Sequence, residues 1–456
     1  MKIRYLSNTK HLFTICNISF FIGDLTMYTI KNVKGRSILD SRGNPTIETD
    51  ILLNNAFGRA AVPSGASVGT YEALELRDGD SAYHGKGVDK AVKNINEILG
   101  PKLIGQDVRN QEELDSLLIK TDGTSRKSRL GANAILSCSL AFARAAAAAK
   151  EIPLYEYIGQ LTENKNYVLP VPAMNVINGG VHADNDLDVQ EHMILPIGAK
   201  SFKESMQMCS EIYFELKKLL KKSYGLASIN IGDEGGFAPM ISKPSAALEI
   251  ILDAIAECGY SGKIKLGLDC AASEFYNKDQ EIYTLNKKTY TPSELIDYYT
   301  ELVSKYPIIS IEDPFSEDDW DGFKSITKKL GNNVQIIGDD LFVTNMERLQ
   351  HGIDIKACNC LLLKVNQIGT LYESFAASKM AFDNGYGVMV SHRSGETEDT
   401  FISDLVVGLC TGQIKSGAPA RSDRTAKYNQ LLRIEEELGS KAKYAGNNFK
   451  QLRKRN

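Results

Sequence analysis

From Tyr28 to about Val62 apolar and polar residues alternate. "IETDILLNN" and "AFGRAAVPSG" read as strands, turned at Asn54-Asn55. The period then lengthens to that of helices. "VDKAVKNINEILG" stops at Gly100, "NQEELDSLLIK" starts behind a capping Asn110, and "RLGANAILSCSLAFARAAAAAK" is long and alanine-rich. After about Leu169 the pattern changes again. Short apolar runs ("VPAMNVI", "LASINIGDE", "KIKLGLD", "YPIISIED", "VQIIGDD", "CLLLKV", "YGVMVSH") are separated by helical stretches such as "FKESMQMCSEIYFELKKLLKK" and "IGTLYESFAASKMAFDNG". Alternation of this kind predicts a mainly parallel sheet, and the number of units predicts a closed eight-fold β/α barrel. "LPVPAMNVI" and "DVQEHMILPIG" have no helix between them, so the barrel is expected to open strand-to-strand. The expected fold class is α/β: a barrel over residues 161–456, preceded by a smaller α+β domain over residues 27–160.

The first 26 residues stand apart. Three basic residues precede an apolar patch from Leu12 to Gly23, broken by Asn17. The patch is too short for a membrane span, and no small-x-small cleavage site follows it. Met27 opens what reads as a natural start, so residues 1–26 are expected to be a disposable, disordered extension or the product of a mis-assigned start.

Composition narrows the function. The 456 residues are 43% apolar and 24% charged, ordinary for a globular protein. The net charge of −4 supplies no basic field for nucleic acid, so an anionic substrate would need local cations. None of the eight cysteines forms a Cys-x-x-Cys pair. Reduced thiols in a cytoplasmic protein are expected.

The chemistry gathers at strand ends. Asp269, Glu312, Asp339, Lys364, His392-Arg393-Ser394 and Glu234 each close an apolar run. The C-terminal strand ends of a barrel face one mouth. Any one of them alone could be a solvated strand end or a helix cap; six unpaired ionisable groups converging would be costly. Asp269, Glu312 and Asp339 repel one another unless a cation sits between them, and their all-oxygen set suits Mg²⁺. No His or Cys joins them, which argues against zinc. Lys364 ends a leucine run, where its ammonium could snorkel to water. Beside a dication and Lys415 its pKa would instead fall, leaving a competent base. Glu191 and Glu234 form a second pair, in which one carboxyl can keep its proton and act as an acid. His182 follows a Gly-Gly pair and reads equally well as a surface loop residue.

"DSRGNPT", "VPSGAS", "NGGVHADN", "NIGDEGG", "GLDCAASEF", "SIEDPF", "GDDLFVTN", "LLLKVNQIGT", "SHRSGETEDT" and "GQIKSGAPARSDR" together resemble bacterial-type enolase, phosphopyruvate hydratase, from about Met27 to Leu438. The resemblance implies a barrel beginning ββαα and a homodimer, or an octamer. It implies reversible dehydration of 2-phosphoglycerate to phosphoenolpyruvate in glycolysis and gluconeogenesis, with two Mg²⁺ per site when substrate is bound. By motif, Asp269, Glu312 and Asp339 resemble the ligands of the first ion. Ser41 resembles a residue that meets the second ion and the substrate as loops close. Lys364 resembles the general base, Glu234 the acid and Glu191 its partner. Gln190 resembles a substrate contact, Arg393 and Ser394 the phosphate-binding pair, and Lys415 the holder of the substrate carboxylate. His182 and His392 resemble further active-site residues.

Val68 and His192 depart from the family pattern without removing a ligand. A related acid-sugar dehydratase would carry a Lys-x-Lys base on an early strand, which is absent. A surface adhesin or scaffold, with a cell-surface or secreted pool, is the non-enzymatic alternative; the terminal "KQLRKRN" lacks the C-terminal lysine sometimes tied to that role.

Overall fold

The computed structural model describes residues 27–65, 69–183, 185–450 and 452. The expectations for residues 1–26, for Val68 and for the last residues of the chain lie outside these.

The small domain is built on an antiparallel sheet of β1 (Asn32–Leu39), β2 (Pro45–Leu52) and β3 (Phe57–Ala61), in the order β1-β2-β3. Helix Ala132–Ala149 covers one face and is almost wholly buried. Its alanines let it come close: a Cβ on Gly58 of β3 would stand 2.3 Å from the Ala141 carbonyl. Among the described residues it is the one helix long and apolar enough to cross a membrane, and here it is a core helix. Asn110 does sit at the start of helix Gln111–Asp122, although its side chain makes no capping bond. Helical structure runs past Gly100 to Leu103.

The barrel closes through eight strands: β4 (Val171–Asn178), β5 (Glu191–Leu195), β6 (Lys265–Asp269), β7 (Ile308–Glu312), β8 (Gln335–Gly338), β9 (Cys360–Leu363), β10 (Gly387–Ser391) and β11 (Gln413–Lys415). β4 and β5 pair antiparallel, and helices Phe202–Tyr224 and Pro244–Glu257 follow before β6, giving the ββαα start. β5 is also antiparallel to β6; the remaining neighbours are parallel. Alternation sorts the core. Cys360 and Leu362 join Val171, Met193 and Met389 in one apolar cluster, while Leu361 and Leu363 join the large cluster shared with the helices.

One expected strand is corrected. "LASINIGDE" does not enter the barrel: Leu226–Ile229 is a short 3₁₀ turn, and Ile231 makes an isolated bridge to Phe237. Gly232, Gly235 and Gly236 turn the chain tightly there; Gly235 has φ of +83°, and a Cβ on Gly236 would meet the Asn178 side chain at 2.4 Å. The missing strand is β11, whose three residues are too few to show a period.

The small domain docks beside the barrel mouth. Tyr71 lies over the Arg348 guanidinium, 3.9 Å from carbon to ring centre, and Arg348 also faces Trp320 at 5.1 Å. Arg348 donates to the carbonyls of Leu341 and Glu317, each at 2.6 Å. Thr70 donates to Glu317, also at 2.6 Å.

Candidate active site

Strand direction explains how the site is assembled. Asp269, Glu312 and Lys415 are the last residues of β6, β7 and β11. Asp339, Lys364 and His392 each follow directly on a strand. Glu191 is the first residue of β5, but that strand is reversed, so Glu191 pairs with Asp269 at the same mouth. A narrow cavity of about 40 Å³ opens there. Of the residues named from the sequence, His182, Gln190, Glu191, Glu234, Asp269 and Asp339 line it from one group of strands and loops. Lys364, His392, Arg393, Ser394 and Lys415 complete the wall.

Lys415 is the hub. Its ammonium donates to Asp269 Oδ2 at 2.8 Å and Glu312 Oε1 at 2.9 Å, and lies 3.1 Å from Glu191 Oε1. Burial would lower its pKa, but Asp269, Glu191 and Glu312 carry it well above the usual lysine value. Glu312 is raised well above a normal carboxyl by burial and by Asp269, in spite of Lys415. Its Oε2, like Oε2 of Glu191, is buried without a hydrogen-bond partner.

The three expected ion ligands thus share one mouth but do not form one bare ligand set. Lys415 holds Asp269 and Glu312, and Lys364 holds Asp339. Among the described residues, Asp313 with Asp339 and Asp340, and Glu191 with Glu234 beside His182, bring their ligand atoms within 4.8 Å of one another.

The expectation of an uncharged Lys364 was tied to a neighbouring dication; among the side chains alone the balance runs the other way. Burial lowers its pKa, yet Asp339 outweighs both that and the repulsion of Arg393 and Lys415, so it is raised. The nearest charge is a carboxylate, and the ammonium is held on it. Asp339 is lowered in turn: burial opposes ionisation and Lys364 overcomes it.

The acid pair also divides differently. Burial and Glu234 raise Glu191 well above its normal value. Burial would raise Glu234 too, but His182, His392, Arg424 and Lys415 draw it well below. The charges around the pair therefore favour ionisation of Glu234 over that of Glu191. Glu234 sits in the glycine loop rather than at a strand end; Asn175 donates to its Oε2 at 2.9 Å. His182 is buried, not a surface residue, with Nδ1 3.6 Å from Glu234 Oε1. Gln190 reaches Asp269 at 3.4 Å.

Ser41 is not brought into the cavity. Its hydroxyl accepts from the Glu396 N–H at 3.1 Å, in the loop beyond β10. The sequence reading missed Glu72, which binds Arg393 from the other domain, and Arg424, which lies under His392. It also passed over Asp313 and Asp340 beside Asp339. "GDD" offered a signal for Asp340; Glu72 had none, because its partner is 321 residues away.

The enolase N-terminal domain family model matches residues 30–158, and the enolase C-terminal TIM barrel domain model matches residues 166–453. The chain belongs to the enolase family. An enolase of Pyrococcus furiosus is 58% identical over 427 residues, which span 93% of this chain and 99% of that protein. An enolase of Solanum lycopersicum is 57% identical over 440 residues, with 93% and 99% covered. One of Methanocaldococcus jannaschii is 57% identical over 424 residues, with 93% and 98% covered. Membership of the enolase family makes the chain a lyase, a phosphopyruvate hydratase of glycolysis. The eight-strand barrel with its separate N-terminal domain is the enolase architecture, and the acidic clusters at the mouth fit a metal-dependent enolase-family enzyme.

Proposed function

We propose that the protein reversibly dehydrates 2-phospho-D-glycerate to phosphoenolpyruvate with Mg²⁺, serving glycolysis and gluconeogenesis, with Lys364 as base and Glu234 as acid. The observation that carries this is the convergence of base, acid, carboxylates and cations on one cavity.

The residues fit a hard dication. Asp269, Glu312 and Asp339 offer only oxygen, Glu312 Oε2 is buried without a partner, and Glu312 resists ionising next to Asp269. These three would hold the first ion. The second ion, assigned to Ser41 by resemblance, would require that hydroxyl to leave Glu396. When bound, Mg²⁺ supplies positive charge against the second negative charge that a substrate carboxylate acquires as its α-proton leaves.

The chain's own groups do the rest. Lys364 first releases its own proton to solvent, loosening its grip on Asp339; the free amine then takes the α-proton, and the C–H electron pair becomes the enolate. The enolate then expels the β-hydroxyl, which leaves as water with a proton from Glu234. Glu191 is the proton store beside that acid. Arg393 and Ser394 would take the phosphate and Lys415 the substrate carboxylate. Gln190, His182 and His392 enclose the reacting end. We assign the working form as a homodimer in the cytoplasm, in keeping with the free, mostly buried cysteines; an octamer or a surface pool would be additional to it.

Phosphoenolpyruvate formation with and without Mg²⁺, together with exchange of the α-proton into deuterated water, tests the assignment. Lys364→Ala should lose both. Glu234→Gln should keep exchange and lose dehydration. Exchange that survives in the lysine variant would overturn the role of Lys364.

A further inference from the structure

Arg424 lies outside the cavity lining, on helix Ser422–Leu438, and is fully buried. It donates to the carbonyls of Arg393 at 2.7 Å and Ser394 at 2.6 Å. It also donates to the carbonyl of Asp233, the residue before Glu234, at 3.1 Å. Its remaining bond goes to Nδ1 of His392.

A guanidinium has donors and no acceptor. The His392 nitrogen that faces it must therefore be the bare one. Burial keeps His392 well below the usual histidine range, against the pull of Glu234, so the ring carries a single proton. That proton is on Nε2, which stands 3.4 Å from Glu234 Oε1 and is not hydrogen-bonded to it at rest.

We propose that Arg424 is a positioning residue for the dehydration: by donating to Nδ1 it fixes His392 as the Nε2–H tautomer and aims that N–H at the Glu234 carboxylate. The same guanidinium ties the Glu234 loop and the loop after β10 into one unit. Glu234 is the group that turns from acid to carboxylate as the hydroxyl departs, and the aimed N–H stabilises the product form. A catalytic contact of this kind is long at rest and tightens in the reacting complex. The inference rests on Glu234 being the acid.

The tautomer is read directly by NMR of the full-length protein labelled with ¹⁵N-histidine. The chain has six histidines, and a His392→Gln spectrum assigns the signal. His392 should show a bare Nδ1 and a protonated Nε2 in the wild type. Arg424→Lys, which also only donates, should keep that pattern. Arg424→Met should lose it. With 2-phosphoglycerate and Mg²⁺, Arg424→Met should dehydrate on the order of 10²-fold more slowly. Its α-proton exchange should stay within about threefold of wild type, because Lys364 is untouched, and Arg424→Lys should recover most of the rate. A wild-type Nδ1–H tautomer would overturn the proposal, as would an unchanged tautomer in Arg424→Met, or exchange and dehydration falling together. If Arg424→Met does not fold, the wild-type and Arg424→Lys spectra still decide. A wild type that makes no phosphoenolpyruvate would refute the reaction assigned above while leaving the tautomer in place.

Discussion

Glu72 of the small domain grips Arg393 at the barrel mouth with both oxygens, at 2.8 Å and 3.2 Å. The pair is buried on both sides. It spans the two domains, and it occupies the cation assigned to the substrate phosphate.

Glu72→Gln should therefore act in two opposite ways. It removes the carboxylate bonded to a buried guanidinium, a loss of about 3 kcal/mol. It also frees Arg393 for another anion. Thermal unfolding should show a lower Tm for the variant, and inorganic phosphate should raise that Tm more than it raises the wild type's. An equal phosphate response in both would remove Glu72 as a competitor.

His192 predicts an acid sensitivity. It is fully buried, and burial lowers its pKa from 6.5 to about 3 against a backbone hydrogen bond at Ile177. Between those values the unfolded chain binds a proton that the folded chain refuses. Stability from this site is intact above pH 6.5 and is lost on acidification, by about 1.4 kcal/mol per pH unit down to about pH 3. His192→Phe should flatten that slope in urea titrations at pH 7 and pH 5.

Asp115 predicts the reverse slope. It joins helix Gln111–Asp122 to the barrel helix Leu371–Asp383, accepting from Gln111 at 3.0 Å and from the Tyr372 N–H at 2.9 Å. Burial raises its pKa from 3.8 to about 6. The folded state then holds a proton that the unfolded state releases, so folding is penalised as pH rises from 3.8 to about 6. The penalty levels off above that, at about 3 kcal/mol. Asp115→Asn should be the more stable protein at pH 8 and show no advantage at pH 4.

Lys415→Met should expose what the ammonium balances. Asp269, Glu312 and Glu191 would lose their shared cation. Activity should vanish, and Mg²⁺ should raise the variant's Tm more than the wild type's. A weaker Mg²⁺ response in the variant would mean that the carboxylates do not compete for Lys415 and the ion alike.

How much of this could be read in the chain follows from distance along it. Asp269, Glu312 and Lys364 stood out because each closes an apolar run of four or five residues, and such runs became strands. Glu234 was found by its motif but placed on the wrong element, since "INIG" imitates a strand while its glycines bend it into a loop. β11 was hidden by its brevity. Glu72 and Arg424 were hidden by separation: their partners lie in other elements, and no local period records a tertiary pair. The opposing pulls on Lys364 and Glu234 leave no local trace in the chain, because each sets burial against several charges distant in sequence.

Trp320 is the single tryptophan of the chain, and it shares Arg348 with Tyr71 of the small domain. Its emission is thus a built-in optical gauge at the seam between the two folding units. Any shift of Tyr71 relative to Arg348 changes the surroundings of one indole, and no second indole blurs the signal.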